Sequence, residues 1–312
     1  MIQLFEQTLT LFIFISVGFG LARAKIIHGE HAKILSELFV YIFLPCNCLM
    51  VFSKNFTVAY ITEKYTLILV SSVFIITIAV IMHFVAKLFS KEKYERVIYE
   101  YSLVLSNCAG VGYPIALNLL GMEALTDLMV FIIPINIYTY TYGYSNLMKR
   151  SIAPKDIFSS RIFLMLLNPV TISMFVGMII GLLGITLPGF VMSAVSGAAS
   201  CLSPVALLIV GIAIAGFDLK SLLKDVRSYI AVALRLIVQP ILFGGIMWLI
   251  GIRGPALISA VIFLAGPCGM NTVTVPKMLE ENCKIGASMA LLSNVFACVT
   301  IPLVLAFFGI GV

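Results

Sequence analysis

Apolar residues fill long blocks of this chain, and polar and charged residues fall in short gaps between them. A block of about 20 apolar residues is what an α-helix needs to cross the hydrocarbon of a bilayer. Ten such spans are predicted: Leu4–Ala22, Lys33–Phe52, Tyr65–Phe89, Tyr94–Gly121, Leu125–Met148, Ile162–Leu183, Phe190–Phe217, Tyr229–Ile250, Ala256–Leu279 and Ile285–Phe308. The expected fold class is therefore an all-α polytopic membrane protein.

Two of these spans are interrupted in the middle. Span 4 carries Ser106-Asn107-Cys108-Ala109-Gly110-Val111-Gly112-Tyr113-Pro114 between apolar stretches, and span 9 carries Ala265-Gly266-Pro267-Cys268-Gly269-Met270-Asn271-Thr272. Unwound backbone inside hydrocarbon leaves N–H and C=O groups unpaired at several kcal/mol each, so it is tolerated only where protein or a cavity surrounds it. Both stretches are predicted to be discontinuous helices, the places where transporters hold substrates. Lesser interruptions fall at Leu44-Pro45-Cys46-Asn47 in span 2 and Ser203-Pro204 in span 7.

The polar, basic stretch 149–161 sits near the midpoint and divides the chain into 1–148 and 162–312, each with five spans. A shift of 159 residues places Pro45 on Pro204, Gly110 on Gly269, Cys108 on Pro267 and Gly112 on Asn271. Five spans per half means that the second half enters the membrane from the opposite side, which makes an inverted repeat. Matching breaks in such halves point to a transport site. Glycine and proline are also common in membrane helices without any repeat.

Composition and charge fit the same picture. The chain of 312 residues is 61% hydrophobic and 11% charged, with a mean hydropathy of +1.12. Soluble domains do not have this composition. With the N-terminus outside, the cytoplasmic loops hold 16 Lys and Arg and the outer loops hold 3. That bias follows the positive-inside rule and places both termini outside the cytoplasmic membrane. The net charge of +6 reads as a basic cytoplasmic face, with no nucleic acid partner implied. Span 1 has its basic residues, Arg23 and Lys25, after it, the reverse of a signal peptide. The seven cysteines lie mostly in apolar stretches. Cys46-Asn47-Cys48 lacks a neighbouring histidine, so neither a metal site nor a disulfide framework is predicted. No cofactor is expected.

Candidate chemistry gathers at the breaks. Half-helix N-termini present free N–H groups and partial positive charge, which suits an anion. Asn107 in span 4, Asn271, Thr272 and Thr274 in span 9, Asn136 in span 5, and Ser293 and Asn294 in span 10 could add polar contacts; each could instead hold neighbouring helices together. No acidic residue falls at the centre of a span, which disfavours a carboxylate-pair antiporter. Glu37, Glu100 and Asp127 lie near the starts of spans 2, 4 and 5. Arg235, with Gln239 one turn on, is the basic residue well inside a span, and an intramembrane charge is a functional hypothesis by default. Its alternatives are snorkelling to the interface, or a pairing with Glu100 or a substrate carboxylate. Glu100, Asp127, Arg235 and Gln239 are candidates for coupling or gating. His83 reads as a hydrogen-bonded packing residue, and Tyr138, Tyr140, Tyr142 and Tyr144 as belt and packing. No Ser/His dyad, aspartate pair or metal motif for an intramembrane enzyme is found, and no ATP-binding motif.

The stretches SNCAGVGYPIALNLLG, LAGPCGMNTVTVPKMLEEN and ASMALLSNVFACVTIPLV resemble the auxin efflux carrier family, which includes the plant PIN carriers and bacterial carboxylate permeases of malate and malonate type. Asn107 with Gly112-Tyr113-Pro114 matches the family's span 4 element, and Pro267 its span 9 proline. The resemblance covers nearly the whole chain. It implies ten helices in two inverted five-helix repeats with spans 4 and 9 crossing, as in sodium/bile acid symporters and sodium/proton antiporters. It also implies a scaffold of spans 1, 2, 6 and 7 that forms a homodimer, and a mobile domain of spans 3–5 and 8–10. The implied function is secondary transport of a small organic anion, held near Asn107, Gly110, Gly112, Pro114, Pro267, Asn271, Thr272, Asn136 and Asn294. The coupling ion, sodium or proton, stays open, as does uniport. The alternatives are a coupled symporter of another amphipathic substrate, or a sensor or channel without turnover.

Overall fold

A computed structural model describes residues 2–27, 29–149, 169–216 and 224–310, and these residues are helical with short connections. Most of the linker 149–161 and the start of span 6 lie outside the described residues. Twelve labels suffice: α1 (Ile2–Arg23), α2 (29–55), α3 (Tyr65–Phe89), α4 (Lys93–Val104), α5 (108–120), α6 (122–147), α7 (Pro169–Leu183), α8 (189–215), α9 (226–249), α10 (Pro255–Ala265), α11 (Asn271–Met278) and α12 (Lys284–Phe307). Lys33–Lys54, Tyr65–Phe89, Glu123–Leu147, Gly189–Ala215 and Val226–Leu249 are each long and apolar enough to cross a membrane, and the bent α12 adds a sixth. Ile13–Arg23, Ile172–Leu183 and Pro255–Ala265 are shorter apolar helices.

Local chemistry explains the ends and irregularities. The Glu92 side chain accepts the Glu95 N–H at the start of α4, and Asp225 accepts the Arg227 N–H at the start of α9, each satisfying a donor that the helix cannot. A wide, π-type turn at Phe39–Phe43 runs up to Pro45, and another at Leu234–Val238 runs up to Pro240. A proline lacks the N–H and pushes against the carbonyl four residues back, and a widened turn just before it absorbs both defects. The two interrupted spans are each two helices: α4 then α5, and α10 then α11. Leu105 (φ −112°, ψ 138°) and Gly266 (φ −66°, ψ 148°) are extended where α4 and α10 stop.

Close backbone contacts order the remaining helices. α1 lies along the second half of α8, so tightly that a Cβ on Gly211 would sit 2.1 Å from the Ile15 carbonyl oxygen. α2 lies along α7, where a Cβ on Gly181 would sit 2.7 Å from the Phe56 carbonyl oxygen. Small residues at such crossings let membrane helices approach. α3 packs on α4 and α6, while α9 packs on α10 and α12.

Candidate functional site

The two interruptions pair with each other. The Asn107 N–H donates to the Pro267 carbonyl at 2.8 Å, the Gly269 N–H donates to the Leu105 carbonyl at 3.1 Å, and Ser106 and Cys268 stand opposite in antiparallel register. Each break thus satisfies backbone groups that the other exposes, as a dry interior requires. Ser293 of α12 joins from the side: its Oγ accepts the Cys268 N–H at 3.1 Å.

Arg235 lies behind this crossing, fully buried. Its guanidinium donates to the carbonyls of Leu103 at 3.0 Å and Phe263 at 3.1 Å and to the Gln239 side chain at 3.1 Å. Leu103 and Phe263 stand in the last turns of α4 and α10, where carbonyls lack intrahelical partners and the helix dipole is negative. One cation therefore caps two half-helices. The expected alternatives, snorkelling or an ion pair with Glu100, do not occur: the planar fork finds its acceptors in two backbone carbonyls and one side-chain amide. Gln239 is oriented in turn by Met82, whose sulfur lies 3.2 Å from Nε2.

A cavity of about 120 Å³, partly open to solvent, adjoins the crossing. Its polar lining includes Asn47, Asn107, Asn136, Ser203, Asn271 and Tyr140, and no Asp, Glu, Lys or Arg lines it among the described residues. α5 and α11 both start at this cavity, so two helix N-termini bound it while Arg235 covers the two C-termini.

The sequence candidates divide accordingly. Asn107, Asn136 and Asn271 come together at the cavity, and Asn271 also donates to the Tyr101 hydroxyl at 2.6 Å. Pro267 supplies a carbonyl to the crossing. Thr272 turns back to the Gly269 carbonyl at 2.9 Å, bracing the start of α11. Gly112 is a packing position, since a Cβ there would lie 2.5 Å from Cys108 Sγ. Gly110 and Pro114 lie within α5. Asn294 donates to Ala290 of its own helix at 2.7 Å and does not line the cavity. Asp127 pairs with Lys64 at 2.9 Å, and Glu100 with His83 at 2.8 Å, both away from the cavity. The Lys64 ammonium is held above its ordinary pKa by its hydrogen bond to Asp127. The Glu280 carboxyl, in the turn between α11 and α12, is held below the usual carboxylate range by the Lys33 ammonium.

The tyrosine run departs from the expected belt. Tyr140 lines the main cavity, and Tyr138 and Tyr142 line a smaller one. A π-type turn at Thr139–Gly143 interrupts the helix among these tyrosines. Tyr101, Asn47 and Ser203 were missed as lining residues. The last two adjoin Pro45 and Pro204, a signal that could have found them, whereas nothing in the sequence marks Tyr101 apart from its place shortly before the break.

A family model described as membrane transport protein matches residues 3–305. The uncharacterized transporter MJ1031 of Methanocaldococcus jannaschii is 25% identical to the chain over 304 residues, covering 96% of each.

Proposed function

The chain belongs to the membrane transport protein family, that of the auxin efflux carriers, and from that premise we propose that it is a secondary carrier moving a small organic anion across the cytoplasmic membrane by alternating access. The observation that carries the reading is the paired crossing of the two breaks, with Arg235 behind it and, beside it, a cavity that Asn107, Asn136 and Asn271 line. Two helix N-termini and a buried guanidinium make the region electropositive, while Asn107, Asn136 and Asn271 offer amide donors to a carboxylate.

The contact pattern supports ten helices in two inverted repeats. Span 1 on span 7 has its counterpart in span 6 on span 2. Spans 4 and 5 on span 3 have theirs in spans 9 and 10 on span 8. In this reading spans 1, 2, 6 and 7 form the scaffold of a homodimer, the remaining spans move against it, and both termini face outward. The two helix N-termini at the crossing favour a substrate with an anionic group, and the apolar side chains that also line the cavity, among them Val51, Ile132 and Ile135, suit an organic body.

Counterflow in proteoliposomes tests the proposal. Vesicles loaded with mono- and dicarboxylates and indole acetate are expected to exchange at least one anion saturably, and Asn107→Ala to lose that exchange. Exchange that survives the substitution removes the crossing as the site. Flux that rises without saturation replaces the carrier by a channel.

A further inference from the structure

Two carboxylates stand deep among the helices, and their partners differ in kind. Asp127, 4% exposed, faces the permanent cation of Lys64. Glu100, 12% exposed, faces the Nδ1 of His83 at 2.8 Å. A lysine partner fixes a carboxylate in its charged form, whereas an imidazole can hold or release a proton within the physiological range. Tyr142 of α6 stands beside Glu100, with Asn146 next to it. The groups facing Glu100 are thus His83 and Lys87 from α3 and Tyr138 and Tyr142 from α6. α9, α11 and α12 also pack on α4 but bring no charged group to this carboxylate among the described residues.

Glu100 opens onto a second, far smaller cavity, of about 10 Å³, which it shares with Tyr138, Tyr142 and Asn146. Asn146 stands one residue short of the end of α6, the end that the charge bias makes cytoplasmic. The next residue on α4, Tyr101, lines both this cavity and the one at the crossing. Its ring is wedged between two glycines: a Cβ would lie 3.1 Å from it at Gly143 and 3.3 Å from it at Gly269. Its hydroxyl accepts the Asn271 amide. Glu100 lines one cavity, and its neighbour Tyr101 lines both, so one turn of helix spans the two.

We propose that Glu100 and His83 form a proton-binding site that couples transport to the proton gradient, with Tyr101 as the positioning residue between that site and the crossing. The inference rests on the carrier reading and supplies its coupling ion. One proton enters from cytoplasmic water and forms the O–H bond of Glu100. The protonated carboxyl then donates to His83 Nδ1. The same O–H bond breaks, and the proton returns to water, after the alternate conformation is reached. No other bond changes.

Two measurements on the reconstituted full chain test the site and the coupling separately. In an infrared pH titration, wild type is expected to show a protonated-carboxyl band that Glu100→Gln lacks and whose midpoint moves in His83→Asn. A band unchanged in both variants, or no titrating carboxyl in wild type, overturns the site whatever the protein carries. The histidine variant keeps the test decisive if Glu100→Gln does not fold. In proteoliposomes, the anion that exchanges in counterflow is then offered under an imposed pH gradient. Wild type is expected to accumulate it, and Glu100→Gln to lose that accumulation. Accumulation retained in the variant, or absent in a wild type that exchanges, overturns the coupling. A wild type that exchanges no anion overturns the carrier reading and the coupling with it, while the infrared result still decides the proton site.

Discussion

The Nη1 of Arg235 lies 3.0 Å from the Leu103 carbonyl oxygen, so a side chain of the eighth span closes the end of the first half of the fourth. The same guanidinium reaches Phe263 through Nη2. A hydrogen bond from a charged donor contributes about 1.5–3 kcal/mol, and its loss leaves a buried carbonyl unsatisfied. Arg235→Ala is expected to lower the thermal unfolding midpoint in detergent sharply and to abolish exchange. Arg235→Lys should restore little, because one ammonium on a flexible stem does not replace a planar fork that spans two helix ends. A lysine variant with wild-type stability and exchange would show that charge alone suffices and that the double cap is incidental.

Gly211 and Ile15 set the distance between α8 and α1. An added Cβ would lie 2.1 Å from the Ile15 carbonyl oxygen, and that neighbour is backbone. Overpacking of this kind costs about 1–3 kcal/mol. Gly211→Ala should therefore destabilise the chain, whereas Gly245→Ala, where a Cβ meets nothing within 4 Å, should not. Parallel melting curves of the two variants check this. Equal curves would mean that the α1–α8 crossing relaxes at no cost.

The pairing of Lys64 with Asp127 predicts a pH dependence at the alkaline end. The carboxylate holds the lysine above its ordinary value of 10.5. A lysine with a raised folded pKa stabilises the fold fully below its unfolded value and ceases to do so as the pH climbs through the folded value. Thermal midpoints measured on either side of pH 10.5 should fall in wild type, with part of that fall missing in Asp127→Asn. Identical slopes in the two proteins would exclude a contribution from this pair.

Much of the fold was legible because the bilayer imposes a coarse code. The helix starts and stops of α3, α9 and α12 follow the apolar blocks to within a few residues, and both breaks were visible as Gly, Pro and Asn inside apolar runs. Asn107, Asn136 and Asn271 could be named because polar side chains are conspicuous there. What stayed hidden depends on rotation and register. Tyr138, Tyr140 and Tyr142 alternate along the sequence, and that alternation does not say that Tyr140 meets one cavity while Tyr138 and Tyr142 meet the other. Arg235 was visible as an intramembrane charge, but its carbonyl partners, distant in sequence, require the crossing itself.

Two further ion pairs stand at the helix ends that the charge bias assigns to the cytoplasm, and they bear on how the proposed carrier would move. Lys33 on α2 pairs with Glu280, and Lys149 beyond α6 pairs with Glu281, both in the turn between α11 and α12. Lys33 belongs to the proposed scaffold and Glu280 to the mobile part, so this pair spans the surface where sliding would occur. Its members are 41% and 70% exposed, and exposed pairs of this kind add little to stability because water and salt screen them. Glu280→Gln should accordingly leave the melting curve unchanged. Cysteines at both positions, joined by a short bifunctional thiol reagent, should instead stop exchange, and cleaving the reagent should restore it. Lys149 and Glu281 lie within the mobile part, so the same cross-link there should leave exchange intact. Exchange that continues with Lys33 and Glu280 tethered would rule out relative motion of these two surfaces as the transport step.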